Sequence, residues 1–217
     1  MKLNLHNLNR LLTCLILLVA AGCSNSLSVH VDTGVPIPLA AQIPLAVGLF
    51  YNDNFRNYVF KEDTEARKNW TIDTRQSRIS LFDQILPSMF RTVTPLDDVN
   101  TVTANTGSTV DAILEPDVIE MQVALPEETH SDMYEAWVKY AIKMYQPGGN
   151  VISEWQITGY GKAHTSLFTS SEEGLNMAIN LALRDIGAKL VLGFPKAPGV
   201  RDWLVTKIDC TAYNGIC

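Results

Sequence analysis

Charge is scarce in this chain. Aspartate, glutamate, lysine and arginine make up 18% of its 217 residues, and 17 basic against 23 acidic side chains leave a formal charge of −6. With no basic excess, nucleic-acid binding by general phosphate attraction is excluded. Long hydrophobic runs are missing too. Residues 11–21 form the one stretch worth considering, broken by Thr13 and Cys14, and it is well short of the roughly 20 residues needed to cross a hydrocarbon core. A multi-span membrane protein is therefore excluded. There are only four cysteines, and no internal repeat or low-complexity tract. Catalytic signatures are also absent: no G-x-S-x-G elbow, no G-x-x-x-x-G-K-[ST] loop, no histidine pair at i and i+4. What is present is apolar material, 47% of the chain, which rules out disorder throughout. The length suits one domain with an extension.

Residues 1–22 read as a secretion signal, with Lys2 and Arg10 ahead of the apolar stretch. The stretch closes as Val19-Ala20-Ala21-Gly22-Cys23. Small residues directly before a cysteine resemble the lipobox of bacterial lipoproteins, with Ala20 where leucine is more usual. The resemblance implies that a diacylglyceryl group alkylates the Cys23 thiol, that residues 1–22 are removed, and that the lipid holds the chain on a membrane. Acyl chains at about 0.8 kcal/mol per buried CH2 make a stable anchor. Ser24 follows, where inner-membrane lipoproteins of enterobacteria carry aspartate, so the resemblance implies the outer membrane with the domain facing the periplasm. Lys2 and Arg10 leave with the signal and no acid does, so residues 23–217 keep 15 basic and 23 acidic side chains, a charge of −8. Cys14 also leaves, Cys23 carries lipid, and Cys210 and Cys217 remain. In an oxidising compartment that even pair predicts a disulfide.

Residues 23–44 read as a lipidated tether. Pro36, Pro38 and Pro44 favour extended chain, while Val35, Ile37, Leu39 and Ile43 let part of it dock. The domain proper spans 45–195. A strand over 45–51 opens it, and segments 58–60 and 70–72 form a hairpin. Helical spacing of Ile79, Phe82, Ile85, Leu86, Met89 and Phe90 predicts a helix over 75–91, capped by Thr74 or Ser77 and weakened at Pro87. A short strand at Thr92-Val93 stops at Pro95. A loop covers 97–109, and a long strand over 110–125 breaks at Pro116, because Ala112 and Leu114 differ in parity from Ile119, Met121 and Val123. The strongest signal is a hairpin. Tyr134, Ala136, Val138, Tyr140, Ile142 and Met144 alternate with polar positions up to Pro147-Gly148-Gly149-Asn150, and Val151, Trp155, Ile157, Gly159, Gly161 and Ala163 share one face of the return strand. Ser170 and Glu173 form a capping box for an amphipathic helix through Leu190 and Val191, ended by Gly193 and Pro195. Residues 196–217 are a tail, docked through Trp203, Leu204, Val205 and Ile208. The predicted fold is α+β, one domain in the order β-α-β-β-β-α, a mainly antiparallel sheet with two amphipathic helices packed on one face. In architecture alone this resembles small periplasmic envelope domains of the TolB N-terminal, LpoB and CsgG type. That resemblance implies an assembly or regulatory role and carries over no site residue.

Gly159-Tyr160-Gly161-Lys162 lacks phosphate-loop spacing and reads as room for the second helix against Ala178 or Ala182. His30, His130 and His164 are scattered, and the acid pairs Asp97-Asp98 and Glu127-Glu128 sit in loops. No catalytic residue, metal site or cofactor is expected, and the chain is read as non-enzymatic. The candidate partner surface is the wet face of the hairpin, where Trp137, Lys139, Lys143, Tyr160 and Lys162 mix exposed aromatics with cations. The competing reading is that Asp117, Glu120, Glu135 or Glu154 pair with these lysines across strands, and that the arm or the hairpin over 58–72 covers Trp137. The leading expectation is a binding or assembly module for an envelope protein partner, with no nucleic acid. An auxiliary role in lipid or lipopolysaccharide transport needs an apolar groove between sheet and helices. A hydrolase needs titratable groups converging in a pocket.

Overall fold

Alternating apolar positions decide how the strands stack. The computed structural model describes residues 26–28, 42–64, 67, 70–100, 110–167 and 170–208. The elements are β1 (Ser26–Ser28), β2 (Ile43–Phe50), α1 (Asp53–Asn57), β3 (Phe60–Glu62), β4 (Trp70–Asp73), α2 (Arg75–Met89), β5 (Phe90–Leu96), β6 (Ala112–Ala124), α3 (Pro126–Thr129), β7 (Met133–Tyr145), β8 (Val151–His164), α4 (Ser171–Gly193) and α5 (Val200–Lys207). Five strands make one sheet in the order β5-β2-β6-β7-β8. β2 is parallel to β5 and β6, while β6, β7 and β8 are antiparallel. A smaller sheet, β1-β4-β3, has β1 parallel and β3 antiparallel to β4. The α+β class and the mainly antiparallel sheet are as the pattern predicts. α2 and α4 bury their apolar faces in the same core, on one side of the large sheet.

The hairpin lays one face of that core. Tyr134, Ala136, Val138, Tyr140, Ile142 and Met144 are all buried, as are Ile157 and Ala163 opposite them. Each fully buried large aliphatic stabilises by about 1.5–3 kcal/mol relative to exposure. Ser170 caps α4, accepting a hydrogen bond from the Glu173 amide at 3.2 Å. The helix then lays Ala178, Ala182 and Ile186 on β8. Gly159 and Gly161 permit the close approach: a Cβ on Gly161 would strike the Ala178 carbonyl oxygen and the Ala182 amide, and one on Gly159 the Ala182 carbonyl oxygen. Val151, expected inside, is exposed, because the register shifts beside the turn between Met144 and Tyr145.

Two strand expectations need correction. β5 runs through Pro95 to Leu96. It is an outer strand, so the missing proline N–H can face away from any ladder. The break in β6 falls at Ile119 and not at Pro116, where the register skips between Val118 and Glu120. Pro116 stays in line and buried, Ile119 is 46% exposed, and Met121 returns to the core. α2 continues through Pro87 to Met89, and Gln42 Nε2 donates to the Pro87 carbonyl at 2.8 Å. Thr74 sits at the N-terminus of α2 but caps nothing there; its hydroxyl accepts from Arg78 instead. Within the expected tail, α5 buries Val200, Trp203 and Leu204 and leaves Val205 exposed. No helix among the described residues is long and apolar enough to cross a membrane. Cys23, Cys210 and Cys217, the expected lipid and disulfide positions, lie outside the described residues.

The outer side of β8 is closed by side chains. Asp185 Oδ2 accepts from the Tyr160 amide at 3.0 Å, Lys189 Nζ donates to the Thr158 carbonyl at 2.8 Å, and the two side chains pair at 2.7 Å. Further along, Ser153 Oγ bonds the Pro198 carbonyl. Elsewhere Arg67 ties the small sheet to the large one. Its guanidinium bonds both carboxylate oxygens of Glu128, reaches Glu62 at 2.6 Å and the Val123 carbonyl at 2.8 Å, and lies 5.1 Å from the Trp70 ring centre. The hydrogen bonds from Arg67 hold the Glu128 carboxyl below the usual glutamate range. A depressed carboxyl contributes stability above its unfolded pKa and loses it as pH falls through the folded one. The melting temperature is therefore expected to drop on acidification from about pH 5 to 3, and Glu128→Gln is expected to flatten that slope. Parallel slopes for the two proteins in thermal melts would remove the clamp from the acid response.

Candidate functional site

Five cross-strand rows build the face of β6, β7 and β8 opposite the core. They are Glu115-Lys143-Glu154, Asp117-Ala141-Gln156, Glu120-Lys139-Thr158, Gln122-Trp137-Tyr160 and Ala124-Glu135-Lys162. Strand alternation places these side chains opposite the core-facing set. At one end the face is covered. Val110 and Ile113 are buried there with Phe50, Leu96, Val99 and Tyr145 around them. Glu115, only 8% exposed, accepts from Tyr145 Oη at 2.5 Å and from Asn52 Nδ2 at 2.8 Å. Burial and then that bond push the Tyr145 phenol up from its ordinary value.

The other end is open. Trp137 and Tyr160 face each other with ring centres 5.1 Å apart and planes tilted by 33°. Tyr160 is exposed and Trp137 half-buried. Burial and then hydrogen bonding to Glu135 raise the Tyr160 pKa from its ordinary value. Beside the rings, Lys139 Nζ pairs with Glu120 at 3.6 Å, and Gln122 Nε2 donates to Glu120 at 2.5 Å. Glu120, Gln122, Trp137, Lys139 and Thr158 line a shallow hollow of about 240 Å³. A second hollow of about 340 Å³ runs along β8 past Trp155, Lys189 and Lys196, but Lys189 is held there by Thr158 and Asp185.

All five residues read from the sequence sit on this face, but not as one cluster. Trp137 and Lys139 line the hollow and Tyr160 leans on Trp137. Lys143 lies two rows toward the covered end, between Glu115 and Glu154, and Lys162 stands across from Glu135. Each lysine thus has an acid in its own row. The face is an aromatic pair in a frame of alternating charge, not a cationic patch. The pairing of Lys139 with Glu120 is the cross-strand contact the competing reading expects. Gln122 is an addition: its place beside Trp137 depends on the skip at Ile119, which the register with β7 reveals.

The other titratable groups singled out in the sequence are placed apart. His130 ends α3 in a left-handed conformation, with φ of 52°, and His164 Nδ1 contacts the Ser166 hydroxyl. His30 lies outside the described residues. Among the described residues, no three His, Cys, Asp or Glu side chains come close enough together to hold a metal ion.

No protein-family model matches the chain, and no curated protein matches it significantly. Among solved structures it is similar to a Helicobacter pylori chain named as a neuraminyllactose-binding hemagglutinin homologue, at 14% identity over 82% of this chain and 97% of that one, TM-score 0.49. It is also similar to a minor lipoprotein of Acinetobacter baumannii, at 10% identity over 70% of this chain and 92% of that one, TM-score 0.40. PelC from Paraburkholderia phytofirmans, solved as a dodecamer, matches at 15% identity over 70% of this chain and 89% of its own, TM-score 0.40. At these identities and scores none of them bears on function.

Proposed function

We propose that this chain is an outer-membrane lipoprotein, anchored through Cys23 and facing the periplasm, whose open hairpin face binds a protein partner of the cell envelope without catalysing a reaction. The observation that carries the reading is the uncovered Trp137–Tyr160 pair. Most of the aromatics among the described residues are buried in the core or packed against it, whereas these two stand on the opposite sheet face with nothing described above them. The hollow beside them, about 240 Å³, is below the roughly 300–1,000 Å³ of small-molecule clefts. It suits one or two anchoring side chains of a partner, the role in which tryptophan and tyrosine are enriched. Three of the acids are engaged in partly buried hydrogen bonds by other side chains: Glu115 by Tyr145 and Asn52, Glu128 by Arg67, Asp83 by Tyr51. A groove for acyl chains has no room at the seam of α4 and β8, where helix backbone meets Gly159 and Gly161.

The test is site-specific photocrosslinking in envelopes, with the probe in place of Tyr160, compared with and without Trp137→Ala. The crosslinked partner is expected to fall at least tenfold in the Trp137→Ala chain, as for an anchor worth about 2 kcal/mol, with the melting temperature within about 2 °C because the site is on the surface. Recovery of the same partner at undiminished yield would sink the assignment of this face. Anchoring has its own check: Cys23→Ala is expected to move the protein from the membrane fraction to the soluble periplasm.

A further inference from the structure

We infer that the small sheet β1-β4-β3 rests against the bilayer, with zwitterionic lipid headgroups covering the end of the molecule that carries Glu62, Arg67 and Trp70. The inference rests on lipidation at Cys23, the reading proposed above. Its physical basis is chain length. Consecutive Cα atoms are 3.8 Å apart, so the step from Cys23 to Ser26 spans at most about 11 Å. Ser26 is not free to wander, because it pairs with Thr71, Leu27 with Ile72 and Ser28 with Asp73. The anchor's reach is set by those three steps. The roughly 20 residues of 23–44, which at about 3.1 Å each would reach some 60 Å, do not lie between lipid and domain. β1 is the outer strand of its sheet, so a headgroup plane within that reach must pass beside it.

The register also says which end faces the lipid. β1 runs parallel to β4, so its first residue lies at the Trp70 end of β4. Trp70 pairs with Glu62 of β3. Arg67 joins this end to Glu128 and to the Val123 carbonyl at the close of β6. The membrane-facing end therefore includes the β6–β7 connection around α3. The β7–β8 turn lies at the other end of β7, roughly 40 Å away along the 13 residues of that strand.

The chemistry of this end suits a zwitterionic surface. The half-buried Trp70 ring, with Arg67 beside it, has the amphipathic character of side chains that settle at headgroup level. Glu62 and Glu128 are engaged by Arg67, while Lys61 and Glu127 stand exposed nearby, so charges of both signs meet at this end, which matches the paired phosphate and ammonium of phosphatidylethanolamine better than a strongly anionic leaflet.

The experiment uses the mature lipidated protein in vesicles of phosphatidylethanolamine and phosphatidylcholine doped with a headgroup-diazirine phosphatidylethanolamine. After photolysis, peptides covering 58–73 and 125–132 are expected to carry at least five times the label of the peptide covering 145–151. Inserting a flexible Gly-Ser linker of about twelve residues between Asn25 and Ser26, long enough to free the domain, is expected to abolish that bias. Even labelling of the native chain, label concentrated on 145–151, or a bias that survives the insertion would each overturn the orientation. Failure of the anchor itself shows separately, as a purified chain whose intact mass lacks diacylglyceryl on Cys23 and which does not bind the vesicles.

Discussion

Gly161→Ala is expected to lower the melting temperature by about 6–12 °C, an effect out of proportion to one added methyl. The new Cβ would meet the Ala178 carbonyl oxygen, the Ala182 nitrogen and the Leu181 Cβ. Two of those three atoms are helix backbone, which cannot swing aside as a side-chain tip can. Either α4 lifts from β8 along its length or the strand bends away, and both loosen the contacts that bury Ala178, Ile179 and Ala182. Overpacking of this kind costs about 3 kcal/mol, and in a domain of this size each kcal/mol is worth about 2–4 °C. Gly193→Ala is the matched control. A Cβ there meets nothing within 4 Å, so the melting temperature is expected to hold or rise slightly, as the better helix former replaces glycine. Equal melting temperatures for Gly161→Ala and the parent protein would mean that α4 does not sit on β8 in this way.

Arg78→Met is expected to remove about 3–5 kcal/mol of stability, read from urea denaturation. Arg78 is fully buried, yet its hydrogen bonds go to no carboxylate. Nη1 donates to Thr74 Oγ1 at 2.6 Å, and Nη2 to the carbonyls of Phe55 at 2.8 Å and Tyr58 at 3.1 Å. The guanidinium lies 5.6 Å from the Phe55 ring centre and 5.7 Å from that of Tyr58. Burial lowers its pKa from the ordinary arginine value, but a guanidinium stays protonated under any condition in which the protein is folded. A charge kept out of water with no carboxylate in hydrogen-bond contact persists because delocalisation, directed acceptors, aromatic faces and the more distant Asp73 charge share the load. Methionine fills similar space and satisfies none of the acceptors. Arg78→Lys keeps the charge without the planar fork and is expected to cost about 1–3 kcal/mol. A neutral Arg78→Met would show that the end of α1 holds without the guanidinium. The consequence reaches the candidate face, because Asn54 of α1 donates to Asp117 at 2.6 Å and to the Val118 carbonyl at 3.0 Å. Those bonds flank the skip at Ile119 that turns Glu120 and Gln122 outward.

These examples mark where sequence reading succeeds and where it stops. Gly159 and Gly161 were legible as room for Ala178 and Ala182, since two small residues on one strand face and two on one helix face have a simple joint explanation. The β7–β8 hairpin was legible because its alternation is unbroken over many positions and its turn is rich in glycine. Ile119 was misplaced because an apolar residue at the right parity looks like core, and a bulge is decided by the partner strand. Arg78 gave no sign at all: two of its three acceptors come from a segment about twenty residues upstream, and a lone arginine in a helical stretch reads as surface. Ser26–Ser28 carries no pattern that distinguishes a strand from a linker. Trp137 and Tyr160 were placed on one face by parity alone, but their direct opposition and the Glu120-Lys139 frame needed the register.

The lock on β8 has a meaning for self-association. In the anchored state proposed above, many copies share one surface, diffuse in two dimensions and meet far more often than they would in solution. A strand of 14 residues with its free N–H and C=O groups in a row would invite edge-to-edge pairing between copies. Asp185 and Lys189 occupy the middle of that row on Tyr160 and Thr158, and the Ser153–Pro198 contact guards its beginning. Crowding can then bring copies together without zipping their sheets into a continuous ribbon through β8.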